Sequence, residues 1–317
     1  MLVVGSSHFL RAQTRKPFYS REISLTADND YLCLQDYYYT AGQDIIYRRL
    51  LSPDSRAYRL LKPAGAEDSS KVIVAYRYGV MIFTPTDIDE TDPKLFDRPY
   101  AGWNFGSVTA SNFPSARKSN QYQMEMGIVG QASGMESLQN YVHRLTHYDP
   151  PKGWIYQIHN ELVANFAYAR FQNWKLTEDL DIVSQSSMQA GTGSNKLAQE
   201  VTLRMIQFNN MNNSVFSNSR LSWDTRQKGK GRREEVFFFA SAGIQYVLSN
   251  IFIEGSLFSG NKTPYTAVRE LWVFQSRYGV MYSQHNLSWS ATYFHLSKEV
   301  VGGSTHDYVS LMMAVRF

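Results

Sequence analysis

The feature that constrains this chain most is a repeated alternation of apolar and polar residues. It is clearest at the end of the sequence, where every second residue from Val309 to Phe317 is apolar. The same period of two recurs at 23–27, 122–128 and 287–293, and it indicates strands with one apolar and one polar face. The sequence has no run approaching the about 18 apolar residues that a membrane helix needs. The pattern therefore predicts an all-β chain, and any membrane-spanning structure would have to be a closed β-barrel.

Thirteen segments have the length and composition of strands, at 23–27, 41–50, 72–83, 100–111, 122–128, 162–173, 181–190, 197–207, 236–248, 251–258, 269–282, 287–293 and 306–317. Outer-membrane barrels made of one chain normally have an even number of strands. We therefore predict a transmembrane barrel of twelve antiparallel strands, with 236–258 forming one bent strand rather than two.

The aromatic content favours a membrane barrel over a soluble β-sandwich. Phe, Trp and Tyr make up 14% of the residues, and a barrel places Tyr and Trp in girdles at the two membrane interfaces. A sandwich would turn its apolar faces inward and use fewer of these residues near strand ends. We expect an integral barrel of the bacterial outer membrane, monomeric and without a nucleic-acid partner.

No internal repeat, low-complexity block or linker rich in Pro and Gly divides the sequence, so residues 17–317 are predicted to form a single barrel domain. Residues 1–16 are interpreted as a residual signal or N-terminal segment, with a mature chain starting near Gln13. The small Ala12 is typical of the end of an export signal, although the basic region is missing. A soluble tail is the alternative. The single cysteine, Cys33, excludes a disulfide scaffold.

One segment, 133–147, has helical rather than β periodicity. Its apolar residues recur every three or four positions, and Ser133 with Glu136 forms a capping signature. Since it lies between two predicted strands, we expect a short helix in an extracellular loop. Gln139 and His143 are four residues apart and would project side by side. A histidine held there could act as a general base, although an isolated histidine is more often an ordinary loop residue.

Oxygen-bearing side chains collect where the first strand ends and the second begins. Asp28, Asn29 and Asp30 close the first strand, and Asp36 and Thr40 precede the second. Such oxygens at one barrel rim are the ligands that Ca²⁺ prefers. Asp and Asn are also common turn formers, which is the alternative reading. By parity with the apolar residues of its strand, Asn29 is predicted to face the lipid side.

These motifs together resemble the lipid A 3′-O-deacylase family, LpxR. The matching sequence stretches, in order, are N-D at 29–30, Y-T-A-G at 39–42, D-R-P-Y-A-G at 97–102, G-I-V-G at 127–130, Q-N-x-x-H-R at 139–144 and G-W-x-x-Q-I at 153–158. The resemblance implies a twelve-stranded outer-membrane barrel with its site between the outer wall and a loop helix. It also implies hydrolysis of the 3′-linked acyl ester of lipid A, within lipopolysaccharide, at the outer leaflet.

The resemblance assigns roles to individual residues. His143 matches the base that activates water, and Gln139 its neighbour on the helix. Asn29 and Asp30 match the pair beside a Ca²⁺ ion that polarises the ester, and Thr40 matches the hydroxyl residue near the metal and the oxyanion. Less securely, Asp149 and Arg98 are carried over as substrate-binding residues.

The chain departs from the family pattern in one loop. Some members carry a basic pair after the third strand, whereas this chain has the acidic stretch 86–92, which would repel phosphate. Either the phosphate contacts come from elsewhere, for example from the basic run 226–233, or the substrate differs. Solvated surface is the commoner role of such a run.

Two other functions remain open from the sequence. His295 and Ser297 form an H-x-S pair similar to that of outer-membrane phospholipase A, where serine is the nucleophile. Both residues share parity with Leu287 and Trp289, so they are predicted to face lipid. The second alternative is a passive pore or structural barrel, in which Asn29 and His143 would have no catalytic role.

Overall fold

Twelve antiparallel strands of the described chain close into a single barrel, as the alternation predicts. A computed structural model describes residues 19–67, 70–222, 234–258 and 263–317. The strands are β1 Arg21–Asn29, β2 Tyr38–Leu50, β3 Lys71–Thr84, β4 Ala101–Ser115, β5 Lys118–Val129, β6 Glu161–Lys175, β7 Leu180–Gly191, β8 Ser194–Gln207, β9 Glu234–Asn250, β10 Trp272–Gln284, β11 Leu287–Leu296 and β12 His306–Arg316. The predicted signal segment, 1–16, lies outside the described residues.

Each strand pairs with its neighbour in the sequence, and β12 pairs with β1 to complete the ring. The closing register runs from Glu22 opposite Arg316 to Asn29 opposite Val309. Closure leaves no open sheet edge. An open edge would leave backbone groups without hydrogen bonds inside the membrane. Closure also gives every strand residue a fixed side, and Leu25 and Met313, predicted to be apolar and outward, are 51% and 52% exposed.

The single bent strand predicted over 236–258 is too long, because residues 251–254 form a helix. Strand β9 ends at Asn250, whose side-chain Oδ1 accepts a hydrogen bond from Phe252 N–H at 3.0 Å and begins the short helix α3, Ile251–Glu254. Gly255, with φ of 74°, follows the helix. Ile251, Phe252 and Ile253 are all buried, so the sequence shows a continuous apolar run that fits a buried helix as well as a strand.

The two ends of the barrel are built differently. At the end that holds the termini, Arg21 N–H donates to Phe317 O at 3.0 Å; we call this the terminal end. The long β5–β6 connection leaves from the opposite end, the helix end. Strand β8 finishes and β9 begins at the terminal end. The basic run 226–233 between them is outside the described residues.

Side chains fill the lumen at both ends in the described part of the chain. At the helix end, the Phe252 ring lies 5.0 Å from the rings of Phe83 and Trp103. At the terminal end, residues 208–222 fold inward, where Lys71 Nζ donates to the Ser219 carbonyl at 2.7 Å and Arg204 pairs with inward-facing side chains. This packing argues against an open pore.

Two further helices pack on the outside of the barrel. Helix α1, Arg56–Leu61, lies at the terminal end, and α2, Met135–Thr146, lies at the helix end against β3 and β4. Among the described residues, no helix is long and apolar enough to cross a membrane. Gly102 on β4 allows α2 to approach, because a Cβ there would lie 2.5 Å from Met135 Cβ and Ser133 Oγ.

We expect Gly102→Ala to loosen α2 while leaving the barrel closed, since overpacking typically costs about 1–3 kcal/mol. Trypsin should cut faster at the exposed Arg144, and the unheated protein should still migrate as a folded barrel on gels. Gly106→Ala is the matched control on the same strand, because its Cβ would meet only Arg77 O at 3.6 Å. Equal cleavage rates in the two variants would contradict the close approach at Gly102.

Candidate active site

The loop helix exists as predicted, but its cap differs. Gly134, with φ of 77°, is the N-cap residue and makes no side-chain capping bond. Ser133 Oγ instead donates to the Gly130 carbonyl at 2.6 Å. Glu136, the other half of the expected capping pair, accepts a hydrogen bond from Gln157 Nε2 at 3.2 Å. The reciprocal cap predicted from Ser133 and Glu136 therefore does not form, although the helix begins close to the predicted residue.

Helix α2 buries two polar side chains against the barrel, beside the apolar Met135 and Leu138. Gln139 and His143 are 3% and 8% exposed, whereas Tyr141, Val142 and Leu145 are 55%, 42% and 61% exposed. A helix on a soluble protein has the opposite arrangement. The two polar residues are therefore held in a narrow space between the helix and the outer wall.

The surroundings of His143 determine which of its nitrogens carries the proton. Its Nδ1 lies 2.8 Å from the main-chain oxygen of Asp149. A carbonyl oxygen only accepts hydrogen bonds, so Nδ1 must carry the hydrogen, and the neutral ring has its free lone pair on Nε2. Asp149 therefore contacts His143 through its main-chain oxygen, and the residue itself is exposed.

Gln139 is oriented by a residue to which sequence reasoning gave no role. Trp154, only 1% exposed, donates from Nε1 to Gln139 Oε1 at 2.8 Å. This bond fixes which end of the amide is the oxygen. Gln139 Nε2 is buried without a hydrogen-bond partner among the described residues. The available signal was the G-W-x-x-Q-I motif, which contains Trp154.

Asn29 and Asp30 point in different directions. Asn29 follows the outward parity of β1, as predicted, and its Oδ1 accepts from Tyr31 N–H at 2.9 Å. Asp30 is 1% exposed, and its Oδ2 accepts from Tyr37 N–H at 2.8 Å. Its Oδ2 also lies 3.8 Å from Nε2 of His306, a β12 residue that the sequence did not single out. Both ring nitrogens of His306 are buried, and neither makes a hydrogen bond in the described chain.

The β1–β2 loop connects this rim to the helix. Tyr31 and Tyr148, which follows α2, share a hydrogen bond of 2.9 Å between their hydroxyl groups. Burial raises the pKa of Asp36, and the nearby His143 ring partly offsets that effect. Thr40 Oγ1 lies 2.8 Å from Thr84 Oγ1, and both residues are buried. Asp36 is therefore close enough to His143 for their charges to interact.

The side chains at this rim fit a hard cation by charge and donor type. Burial raises the pKa of Asp30 to about 6, and the neighbouring charge of Asp36 adds to that increase. A cation close to two carboxylates would reverse both effects. Among the described residues, no three His, Cys, Asp or Glu side chains form a metal cluster. Further ligands would be hydroxyl, amide, main-chain or water oxygens, which Ca²⁺ accepts.

Arg98 lies inside the protein rather than on the rim surface. It is 0% exposed, and its Nη1 donates to Glu299 Oε2 at 2.9 Å. Its guanidinium carbon lies 4.7 Å from the centre of the Phe83 ring. In this position Arg98 joins the β3–β4 and β11–β12 connections at the helix end.

The acidic stretch 86–92 packs beside the segment that follows α2. Asp89 pairs with Lys152 at 3.0 Å, and the Ile88 carbonyl accepts a hydrogen bond from Lys152 N–H at 2.9 Å. The same carbonyl accepts from the Tyr100 hydroxyl at 3.2 Å. The acidic stretch that replaces the family's basic pair therefore lies next to the segment containing Trp154, which donates a hydrogen bond to Gln139.

His295 and Ser297 do not contact each other through a hydrogen bond in the described structure. His295 Nδ1 lies 2.6 Å from Asp307 Oδ1, and Ser297 Oγ accepts from Phe274 N–H at 2.8 Å. His295 faces outward, as its parity predicts, with 44% of its side chain exposed. The serine hydroxyl thus lacks the histidine contact that activates a nucleophile.

We expect Trp154→Phe to reduce the free energy of unfolding by about 1–3 kcal/mol, because Gln139 Oε1 would be left buried without a donor. Urea unfolding in detergent measures the change. Trp174→Phe is the control, since Trp174 lies on the outer wall and is 48% exposed. If both variants unfolded at the same urea concentration, the Trp154–Gln139 bond would not contribute as described.

Comparisons with known proteins agree with this architecture. The family model described as "Outer membrane protein LpxR" matches residues 1–317. Among solved structures, LpxR from Salmonella typhimurium aligns with a TM-score of 0.73 at 15% identity, over 93% of this chain and 100% of that chain. A KdgM porin aligns over 93% of this chain and 99% of its own at 6% identity, with a TM-score of only 0.42. No curated protein matches. At 15% identity the structural likeness establishes the fold.

Proposed function

We propose that this chain, which belongs to the LpxR family of outer-membrane proteins, is a Ca²⁺-dependent lipid A 3′-O-deacylase. The observation that carries the proposal is the hydrogen bond from His143 Nδ1 to the Asp149 carbonyl, which leaves Nε2 as a proton acceptor. That nitrogen lies on the same helix face as the unpartnered Gln139 amide. A base and a hydrogen-bond donor side by side are what ester hydrolysis by water requires.

The reaction follows from these two groups. His143 Nε2 takes a proton as a water molecule attacks the ester carbonyl, and a tetrahedral oxyanion forms. Gln139 Nε2 donates a hydrogen bond to that oxyanion, which is worth most where water is scarce. Cleavage of the bond between the carbonyl carbon and the sugar oxygen then releases a fatty acid, and the sugar oxygen recovers the proton from His143. No covalent acyl-enzyme is formed.

Ca²⁺ would be held by Asp30 and Thr40, with Asn29 and Asp36 nearby. When bound, the ion supplies positive charge that polarises the ester carbonyl. Asp30 provides a carboxylate buried at the helix end, and Thr40 provides a hydroxyl with a lone pair left beside its contact with Thr84. All of these donors are oxygen atoms.

The position of the site suits an amphiphilic substrate. Gln139 and His143 lie between α2 and the outer wall rather than in the filled lumen. The ester of lipid A lies just below the headgroup layer of the outer leaflet. A site on the outer wall at the helix end could therefore reach it without extracting the lipid from the membrane.

We expect His143→Ala to reduce deacylation by on the order of a hundredfold to ten-thousandfold, as for loss of a general base. Mass spectrometry of lipid A from cells producing each variant measures the loss of the 3′ chain. His295→Ala and Ser297→Ala are the controls and should remain active. An inactive Ser297→Ala with an active His143→Ala would instead support a serine esterase.

We expect a chelator to stop the purified enzyme and added Ca²⁺ to restore it, with Asp30→Asn needing more Ca²⁺. A readout independent of activity is thermal unfolding, because an ion that binds only the folded state raises the melting temperature. Ca²⁺ should stabilise the wild type more than Asp30→Asn. Asp54→Asn, at the terminal end, is the control for the loss of one charge. Equal stabilisation of all three proteins would refute a role for Asp30 in holding the ion.

A further inference from the structure

A cavity of about 340 Å³ lies at the first turn of α2, and His143 is not among its lining residues. Its wall is shared by Glu136, the turn that contains Trp154 and Gln157, and Pro264 after β9. Ligand sites start at about 300 Å³, so this volume suits one small group such as a single sugar.

The cavity is lined by hydrogen-bond acceptors that are not fully used. Gln157 is 8% exposed, and its Oε1 is buried with no partner among the described residues. Its Nε2 donates to Glu136 Oε2 at 3.2 Å, which directs the amide oxygen away from that carboxylate. Asn160 Oδ1 already accepts from Ala132 N–H at 2.7 Å. A buried acceptor without a donor is costly, so a ligand that donates hydrogen bonds would be favoured.

The charge around the cavity disfavours phosphate. The charged or titratable lining residues among those described are Glu136 and His159, and the lining contains neither Lys nor Arg. The acidic stretch 86–92 lies beside the same segment, and the charge of the nearby Lys152 is paired with Asp89. Like charges in a partly enclosed site repel an anion.

We propose that this cavity is a subsite for a hydrogen-bond-donating group of the sugar headgroup, a hydroxyl or an ammonium rather than a phosphate. The assignment of the sugar to the substrate rests on the function proposed above. Trp154 connects the two places, since its ring lines the cavity and its Nε1 binds Gln139. The substrate class is thus a lipid A whose headgroup presents hydroxyl or amino groups on this side.

The test measures binding of three soluble sugars to the full chain in a detergent without sugar groups. Glucosamine offers hydroxyls and an ammonium, N-acetylglucosamine offers hydroxyls only, and glucosamine 1-phosphate adds a phosphate. We expect at least one of the first two to bind, and the phosphate sugar to bind at least about tenfold more weakly. Intermolecular nuclear Overhauser effects to the Ile155 methyl groups should locate the bound sugar, since Ile155 lines the cavity.

Two variants identify the groups that bind. Gln157→Met removes the unpartnered oxygen and should weaken binding about tenfold. Glu136→Gln should weaken glucosamine binding more than N-acetylglucosamine binding if the donor is an ammonium, and both slightly if it is a hydroxyl. Glu178→Gln, at the terminal end, is the control for the charge change. Binding of glucosamine 1-phosphate as tightly as the other sugars, no binding of either of those, or no effect at Ile155 overturns the proposal.

The binding measurement is independent of catalysis. If the sugars bind as expected but no lipid A is deacylated by the wild type, the proposed reaction fails and the subsite stands. If deacylation is observed and none of the sugars contacts Ile155, the subsite fails and the reaction stands.

Discussion

Closure of the barrel between β1 and β12 is the constraint on which the rest of the structure depends. A sheet in a membrane must pair all of its backbone groups, and only a ring does so. Closure brings the first strand of the chain against the last, so that Asp30 at the end of β1 comes close to His306 at the start of β12. It also fixes which face of each strand is outside. The outward residues of β3 and β4 at the helix end then form the wall on which α2 packs.

Helix α2 departs from the usual amphipathic arrangement, because it buries polar as well as apolar side chains against the protein. Its polar residues Gln139 and His143 face the protein, and Val142 and Leu145 face outward. In water this would expose apolar surface at a cost. Beside an outer-membrane barrel, the outward face meets the same surroundings as the apolar belt of the strands. Burying the polar face requires hydrogen-bond partners, and Trp154 and the Asp149 carbonyl supply them. These bonds hold both polar side chains between the helix and the outer wall.

The sequence predicted the features that depend on local periodicity, namely the strands and the faces of the loop helix. Alternation identified all twelve strands, and the four-residue spacing of Gln139 and His143 placed them on one helix face. The 251–258 segment was misread because a buried helical turn and a buried strand share the same apolar run. The hydrogen bond of Trp154 to Gln139 and the approach of His306 to Asp30 could not be derived, since both depend on how separate loops and strands meet. Asp36 was visible at the rim, but its proximity to His143 depends on how the β1–β2 loop folds against α2.

The position of the acidic stretch 86–92 determines which part of the protein its charge affects. A basic segment elsewhere could compensate only if it reached the same end. The strands that flank 226–233 meet at the terminal end, whereas Asp89 and Lys152 pair beside the segment that carries Trp154. The acidic stretch therefore adds negative charge beside this segment, and the unpartnered oxygen of Gln157 adds a hydrogen-bond acceptor. Charge and hydrogen-bonding capacity at this end agree with each other, because both favour a group that donates hydrogen bonds over an anion.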